Sequence, residues 1–224
     1  MREQPDESGK ESERDVPGDV GAPKAEDRCA DEAGEREQNG GDERLSQRSS
    51  ILPSPFIADW IARIAADRLA SRGPRRALDV ATGRGRHLIP LGRAGFQPFG
   101  VDARFDAVRD SRSLTSDAGV AARLWCADLT NYPLPAAHFD AIVVSRYLQR
   151  DLFPAIRRAL TPGGVVLYET FTIAQRALGM GPQSPDHLLE PDELRNVFGG
   201  FEILFYEEVS APEAVARLAA RRPL

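Results

Sequence analysis

The sequence predicts an α/β domain: a doubly wound, mostly parallel, Rossmann-like sheet of about seven strands with helices on both faces, preceded by a disordered tail. Two observations lead to this prediction. Apolar and charged residues are unevenly distributed along the 224 residues. After residue 50, short and continuously apolar runs alternate with segments of helical periodicity. Such runs are typical of strands that are buried on both faces of a parallel sheet.

The composition divides the chain into two parts. Residues 1–50 contain 9 apolar residues, no aromatic one, 15 acidic and 8 basic residues, a net charge of −7. Such a segment buries too little apolar surface to offset the entropy lost on ordering, so we predict a disordered acidic tail. Residues 51–224 contain 84 apolar residues and carry a net charge of +2. They suit one domain with an ordinary core.

Composition also argues against several classes of protein. No apolar run reaches the roughly 18–20 residues that cross a bilayer, and the charged start lacks the apolar stretch of a secretory signal. Cys29 and Cys126 give neither a disulfide framework nor metal-ligand spacing. We therefore expect a cytoplasmic protein without a metal site or a membrane partner. The near-neutral domain argues against nucleic-acid binding, and no pattern indicates an oligomeric state.

The predicted elements alternate along the domain. A first helix, 54–71, starts with the N-cap Ser54 and with Pro55 in its first turn, and it stops at Gly73-Pro74. Strands are predicted at 76–81, 96–102, 123–127, 139–145, 165–171 and 201–209, and 213–220 forms a last strand or helix. Further helices are predicted at 86–94, 105–115, 151–160 and 191–198. The segment 172–191 is predicted to be a structureless loop, and we interpret it as a substrate lid.

Glycines and acids follow three successive predicted strands. Gly83 and Gly85 follow the first strand, where they allow a tight turn and a close approach of the backbone to a ligand. Asp102 ends the second strand, where a carboxylate can accept both hydroxyls of a ribose. Asp128 follows the third strand, where it could accept an adenine amino group. Each acid alone could be an ordinary surface residue, but together they predict a nucleoside site.

Two cofactors compete for this site. A dinucleotide-binding turn needs a third glycine, and Leu88 stands in that position. Acids without a phosphate-binding feature instead suit S-adenosylmethionine, which has a ribose, an adenine and a positive sulfur but no phosphate. A nicotinamide-dependent oxidoreductase is therefore the more distant alternative.

The segment Asp79-Val80-Ala81-Thr82-Gly83-Arg84-Gly85 resembles the first motif of class I S-adenosylmethionine-dependent methyltransferases, with Ala81 in place of the first glycine. The similarity continues through Asp102, Ala127-Asp128-Leu129, 139–144 and 160–166. Residues 83–87 and 167–171 are most similar to the tellurite-resistance TehB-like branch of this family. The resemblance covers roughly 76–171, most of the predicted domain.

This resemblance implies a role for each matching residue. Asp79 would lie near the methionyl ammonium, and Ala81, Gly83 and Gly85 would line the path of the methionyl and ribose groups. Asp102 would bind the ribose hydroxyls, with Asp128 and Leu129 at the adenine. Ser145, at the end of the fourth strand, would face the sulfonium and the methyl group.

The methyl acceptor is expected to contact residues after the fourth and fifth strands. Arg146, Tyr147 and Arg150 could hold an anionic acceptor, and Tyr147 could instead pack in the core or Arg150 begin a solvated helix. Glu169 is a candidate base or orienting group, and with Ser145 and Tyr147 it completes the candidate catalytic set. The expected acceptor is a small molecule. The main alternative from another class is a non-catalytic cofactor-binding or scaffold protein with the same fold.

Deletion of residues 1–48 tests the predicted tail. Because the segment contributes little apolar surface, the truncated protein should keep its thermal stability and its affinity for S-adenosylmethionine. Thermal denaturation and calorimetry of both proteins measure this. A large loss of either property would show that the tail packs against the domain.

Overall fold

The protein is described by a computed structural model that covers residues 52–67 and 75–224. The predicted tail, 1–50, and the predicted helix stop at Gly73-Pro74 lie outside the described residues. The described chain forms a seven-stranded sheet in the order β3-β2-β1-β4-β5-β7-β6. All neighbouring strands pair in parallel except β7, which is antiparallel to both β5 and β6. The prediction of a doubly wound, mostly parallel sheet of about seven strands is confirmed.

The helices and strands have the following bounds. The strands are β1 (Arg76–Val80), β2 (Gln97–Asp102), β3 (Arg123–Cys126), β4 (Phe139–Ser145), β5 (Leu160–Phe171), β6 (Glu202–Val209) and β7 (Val215–Arg221). The α-helices are α1 (Pro55–Ala66), α2 (Leu88–Arg93), α3 (Phe105–Asp117), α4 (Phe153–Ala159) and α5 (Glu193–Val197). Three short 3₁₀ helices occupy Arg150–Leu152, Ile173–Leu178 and Pro185–His187.

Two apolar layers cover the sheet. On one face, Ile57 and Ile61 of α1 are fully buried against the sheet. The other face packs against α4 and α5 through residues that include Ile156, Tyr168 and Phe198. The Ser54 hydroxyl accepts a hydrogen bond from the N–H of Ile57 (3.4 Å), so the sequence-predicted N-cap does begin α1. The helix ends at Ala66, earlier than the predicted end at residue 71.

The sheet order reverses between β1 and β4. The chain proceeds from β1 outward to β3 and then crosses to β4 on the other side. In open α/β sheets this reversal leaves a crevice beyond the carboxyl ends of the strands, where ligands bind. The glycine turn after β1 and the residues that follow β2, β3 and β4 therefore meet at this edge.

The start of β5 differs from the sequence prediction. Residues 160–164 were expected to end a helix and form a turn, but β5 already begins at Leu160, which pairs with Phe139. The pairing register shifts between Phe139 and Ala141, which pairs with Val165. Gly163 makes this possible, because its φ of +78° lets the chain bulge before regular pairing resumes.

The predicted structureless loop 172–191 is largely ordered. It contains two 3₁₀ helices, and Thr172 forms a parallel bridge with Leu189. The buried Gln175 side chain accepts a hydrogen bond from the N–H of Ala214 (2.7 Å) and donates one to the carbonyl of Met180 (2.9 Å). A buried amide can satisfy the backbone of an irregular segment in this way, which the Gly- and Pro-rich sequence did not indicate.

Candidate functional site

The turn after β1 uses three alternate positions with left-handed backbone angles. Ala81, Gly83 and Gly85 have φ values of +52°, +55° and +79°. The Gly85 N–H donates to the carbonyl of Thr82 (2.9 Å), and the Ser111 hydroxyl donates to the carbonyl of Gly83 (2.6 Å). Glycine adopts positive φ without penalty, whereas alanine does so at a cost. The turn is thus compact and held against α3.

Asp102 connects this turn to the end of β2. Its Oδ2 accepts a hydrogen bond from the N–H of Gly83 (2.8 Å), and its Oδ1 accepts one from the N–H of Arg104 (3.0 Å). The side chain is only 11% exposed. Each carboxylate oxygen can accept two hydrogen bonds, so both oxygens retain capacity for a ligand hydroxyl.

A cavity of about 260 Å³ opens beside Asp102. We call it the β2–β3 cavity; its walls are Val80, Ala81, Val101, Asp102, Ala103, Arg104, Ala127, Asp128, Leu129 and Tyr147. Four predicted cofactor residues therefore share one cavity: Ala81, Asp102, Asp128 and Leu129. The mixture of apolar walls and carboxylates suits a nucleoside.

Asp128 stands at the exposed rim of the β2–β3 cavity. Its Oδ1 accepts hydrogen bonds from the N–H (2.9 Å) and the hydroxyl (2.7 Å) of Thr130, and its Oδ2 accepts one from the Asn131 amide (2.9 Å). The hydrogen bonds from Thr130 lower the pKa of Asp128 below its ordinary value. The carboxylate therefore stays ionised and fixed in orientation near neutral pH.

Asp79 lies beneath the turn and lines neither cavity described here. It is 1% exposed, and its Oδ2 accepts a hydrogen bond from the Thr82 hydroxyl (2.7 Å). Its Oδ1 is 3.7 Å from Nδ1 of the buried His87. The N–H of Ser54 donates to Nε2 of His87 (3.3 Å), so the other ring nitrogen, Nδ1, is the one that faces Asp79. Asp79 and His87 thus join the glycine turn to the segment before α1.

A second cavity, of about 270 Å³, lies between this segment and the ends of β5 and β7. We call it the roofed cavity; residues 52–55 form its wall on the side of α1. Its other lining residues are Arg86, Arg146, Glu169, Glu213, Val215 and Arg217. Two of the predicted acceptor residues, Arg146 and Glu169, lie here.

A row of polar side chains crosses four strands beside the roofed cavity. Ser145 of β4 pairs in register with Glu169 of β5, Glu169 with Arg217 of β7, and Arg217 with Glu207 of β6. The Arg217 guanidinium donates to Glu169 Oε2 (2.7 Å) and to Glu207 Oε1 (2.8 Å). Glu169 is therefore a buried carboxylate, and its orientation is fixed by Arg217 on the neighbouring strand β7.

Two arginines extend this row at the cavity wall. Arg86 donates from Nη2 to the Ser145 hydroxyl (2.9 Å). Arg146, at φ +55°, makes two hydrogen bonds to Glu213 (2.9 and 2.6 Å), and its guanidinium lies 5.2 Å from the centre of the Phe171 ring. The Arg146–Glu213 pair connects the end of β4 to the loop between β6 and β7.

Two predicted acceptor residues lie elsewhere. Tyr147 lines the β2–β3 cavity, where burial and the nearby Asp128 and Asp102 raise its pKa, so its hydroxyl stays protonated near neutral pH. Arg150 donates to both carboxylate oxygens of Glu193 (2.7 and 2.9 Å) and to the carbonyl of Leu188 (2.8 Å). Neither described cavity contains Arg150.

Sequence reasoning missed several residues of the roofed cavity. Arg86 was visible in the glycine turn but was not assigned a role. Glu213 and Arg217 follow the long segment 172–191 and gave no local signal. They reach the site because β7 inserts antiparallel next to β5, so that Arg217 lies opposite Glu169.

No residue of segment 172–191 lines either cavity. The interpretation of this segment as a substrate lid therefore gains no support from the geometry. Residues 52–55 line the roofed cavity instead.

The chain is similar to known methyltransferases in sequence and in fold. Residues 77–164 match the model of the methyltransferase domain family. This match covers β1 to β4 and the first residues of β5. The similarity in sequence is thus to a methyltransferase domain, over residues 77–164. The β2–β3 cavity lies within the matched segment, with the glycine turn on one side and Asp128 on the other.

Two solved structures share the fold of the methyltransferase domain. TehB from Haemophilus influenzae superposes with a TM-score of 0.60 at 16% identity, over 81% of this chain and 66% of that one. Magnesium protoporphyrin IX methyltransferase (ChlM) from Synechocystis PCC 6803, solved with bound SAH, gives a TM-score of 0.58 at 16% identity, over 84% and 90% of the two chains. These similarities establish the class I methyltransferase fold.

One curated relative matches part of the domain. A probable nonribosomal peptide synthetase, CymA, from Salinispora arenicola (strain CNS-205) is 30% identical over 100 residues, which is 44% of this chain. The chain spans 1% of the length of this relative.

No helix between residues 52–67 or 75–224 is both long and apolar enough to cross a membrane. The same residues contain no group of three or more His, Cys, Asp or Glu side chains arranged to hold a metal ion.

Substitution of the turn glycines should separate backbone strain from steric crowding. At Gly83 an added Cβ would meet no atom within 4 Å, so Gly83→Ala should destabilise the protein by about 1–2 kcal/mol through its positive φ alone. At Gly85 the Cβ would lie 3.0 Å from Ser111 Oγ and 3.1 Å from Leu88 Cδ1. Gly85→Ala should therefore lower the free energy of unfolding by roughly 1–3 kcal/mol more than Gly83→Ala does. Urea denaturation of both variants tests the order, and equal losses would contradict it.

Proposed function

We propose that this protein transfers a methyl group from S-adenosylmethionine to a small-molecule acceptor. The adenosine part of the cofactor is assigned to the β2–β3 cavity, with the ribose on Asp102, and the methionyl part extends past Gly83 and Gly85 toward Ser145. Asp128 and Leu129 are assigned to the adenine. Bound there, the cofactor supplies a methyl group already activated by a positive sulfur.

The observation that carries this proposal is the position of Asp102. Its carboxylate is nearly buried, is oriented by two backbone N–H groups, and faces a cavity at the point where the sheet order reverses. A preorganised carboxylate next to a glycine turn is suited to bind two adjacent hydroxyls. Leu88 occupies the place of the third glycine of a dinucleotide site, so the same geometry disfavours a nicotinamide cofactor.

The other residues of the β2–β3 cavity complete the binding surface. Tyr147 keeps its proton and contributes a flat ring to the cavity that Asp102 and Asp128 also line, which favours packing against the nucleoside over a role as a base. Asp128 remains charged and held in place by Thr130. These groups orient the cofactor before the acceptor arrives.

At the methyl end, the chain provides alignment and exclusion of water. Ser145 is held by Arg86, and Glu169 is held by Arg217, on neighbouring strands. Methyl transfer is an in-line displacement that needs a correctly placed nucleophile shielded from solvent. We assign Ser145 and Glu169 to the alignment of the acceptor, with Arg146 at the cavity mouth. We assign residues 52–55, which line the same cavity, to limiting the access of water.

A non-catalytic cofactor-binding protein is the second candidate. It would use the β2–β3 cavity in the same way and leave the roofed cavity without an acceptor. Binding of S-adenosylmethionine without methylation of any member of a broad panel of small acceptors would favour it. Release of S-adenosylhomocysteine with one member of the panel favours the enzyme.

Substitution of Asp102 tests the ribose assignment. Asp102→Ala should weaken the binding of S-adenosylmethionine and S-adenosylhomocysteine by about 1–3 kcal/mol, because the ribose hydroxyls lose their acceptor. This corresponds to roughly a 5- to 150-fold rise in Kd, measured by calorimetry. Asp106→Ala, at an exposed acid in the first turn of α3, is the matched control and should bind normally. Normal binding by Asp102→Ala would refute the assignment.

Labelling of cell extracts tests the class of acceptor. The domain combines a small cavity with a net charge of only +2 over residues 51–224, so we expect no transfer of labelled methyl groups to total RNA, DNA or protein. The label should appear in the small-molecule fraction. Stoichiometric labelling of one RNA or polypeptide would contradict the proposal.

A further inference from the structure

The charges in the roofed cavity are nearly balanced. Three arginines and two glutamates line it. Arg146 is neutralised by its two hydrogen bonds to Glu213, and Arg217 by Glu169 and Glu207. The glutamates that face the cavity are therefore already bound by arginines. They are poorly placed to attract a second cation.

Arg86 differs from the other two arginines. Its one hydrogen bond among the described residues goes to the neutral hydroxyl of Ser145, and no described carboxylate lies within ion-pair distance of its guanidinium. A guanidinium carries five N–H donors, so most of them remain available. Burial lowers the pKa of Arg86, and Arg146 adds to this effect, whereas Asp79, Glu169 and Glu213 act in the opposite direction. A partly buried cation without an ion pair of its own is stabilised when an anion joins it.

The surroundings of Arg86 fit an anionic ligand of limited size. The cavity measures about 270 Å³ and is lined on one side by Leu52, Pro53, Ser54 and Pro55. The first turn of α1, which forms part of this wall, contains no acidic residue. Ser145, which accepts the hydrogen bond from Arg86, is the residue assigned to the methyl end of the cofactor. A ligand held by Arg86 would therefore lie next to the group to be transferred.

Resting on the proposed function, we propose that the roofed cavity receives the methyl acceptor and that Arg86 binds a carboxylate or other oxyanion of that acceptor. A planar guanidinium can hold a carboxylate through two parallel hydrogen bonds, which fixes its orientation as well as its position. A neutral acceptor would leave Arg86 without an ion-pair partner, and a cationic one would be repelled by it.

The cofactor offers the same chemistry, because its methionyl end also carries a carboxylate. The two sources differ in what the loss of Arg86 affects. If Arg86 binds the acceptor, its replacement leaves the affinity for S-adenosylhomocysteine unchanged. If Arg86 binds the methionyl carboxylate, its replacement weakens the binding of S-adenosylhomocysteine. The binding of 5′-methylthioadenosine, which lacks the amino-acid part, is then unchanged.

The test titrates the full-length protein, saturated with S-adenosylhomocysteine, with two pairs of probes by calorimetry. Each pair is an acid anion and its neutral amide: benzoate with benzamide, and acetate with acetamide. In the wild type, at least one anion should bind about tenfold or more tightly than its amide, as expected for charge-assisted hydrogen bonds. Arg86→Met should abolish this preference, and Arg86→Lys should retain part of it.

Arg84→Met is the matched control. Arg84 lies in the same turn, but its side chain is 54% exposed and 3.7 Å from Asp110, so the preference should persist. If circular dichroism shows that Arg86→Met does not fold, Arg86→Gln takes its place, since it can still donate to Ser145.

The proposal is wrong if the wild type does not prefer either anion or if the preference survives the loss of Arg86. It is also wrong if the loss of Arg86 weakens the binding of S-adenosylhomocysteine but not the binding of 5′-methylthioadenosine. Failure of the wild type to bind either nucleoside would instead refute the proposed function.

Discussion

The geometry of the site depends on the hydrogen bond between the Gly83 N–H and the Asp102 carboxylate (2.8 Å). This bond joins the turn after β1 to the end of β2, two neighbouring parallel strands, and so defines one wall of the β2–β3 cavity. The turn can reach Asp102 because Ala81, Gly83 and Gly85 adopt positive φ. Backbone strain at Ala81 is therefore part of the arrangement that presents the carboxylate to a ligand.

A second buried contact positions residues 52–55, which line the other cavity. His87 accepts the N–H of Ser54 and faces Asp79, so the segment before α1 is attached to the glycine turn through the interior of the protein. The Ser54 hydroxyl also caps α1. One short stretch of chain thus begins a helix, lines the roofed cavity and contacts His87, which in turn faces Asp79.

The sequence allowed the sheet, the turn and the acids Asp102 and Asp128 to be predicted, because these features depend on local patterns: apolar strands, glycine spacing and polar residues at strand ends. The roofed cavity could not be predicted in the same way. Arg217 contacts Glu169 only because β7 runs antiparallel beside β5, and the register of two strands nearly fifty residues apart has no local signal.

The order of segment 172–191 depends on the buried Gln175, whose long-range bond to Ala214 is also non-local. Arg150 was assigned to an acceptor from its position in the sequence, but Glu193 and backbone carbonyls bind it instead.

The most direct test of this account is a crystal structure of the protein with S-adenosylhomocysteine bound. The account predicts that both ribose hydroxyls lie within hydrogen-bond distance of the Asp102 carboxylate, about 2.5–3.0 Å. It also predicts that the adenine lies between Leu129 and Tyr147 and that the sulfur points toward Ser145. A cofactor whose ribose lies away from Asp102, or whose adenine occupies the roofed cavity, would contradict it.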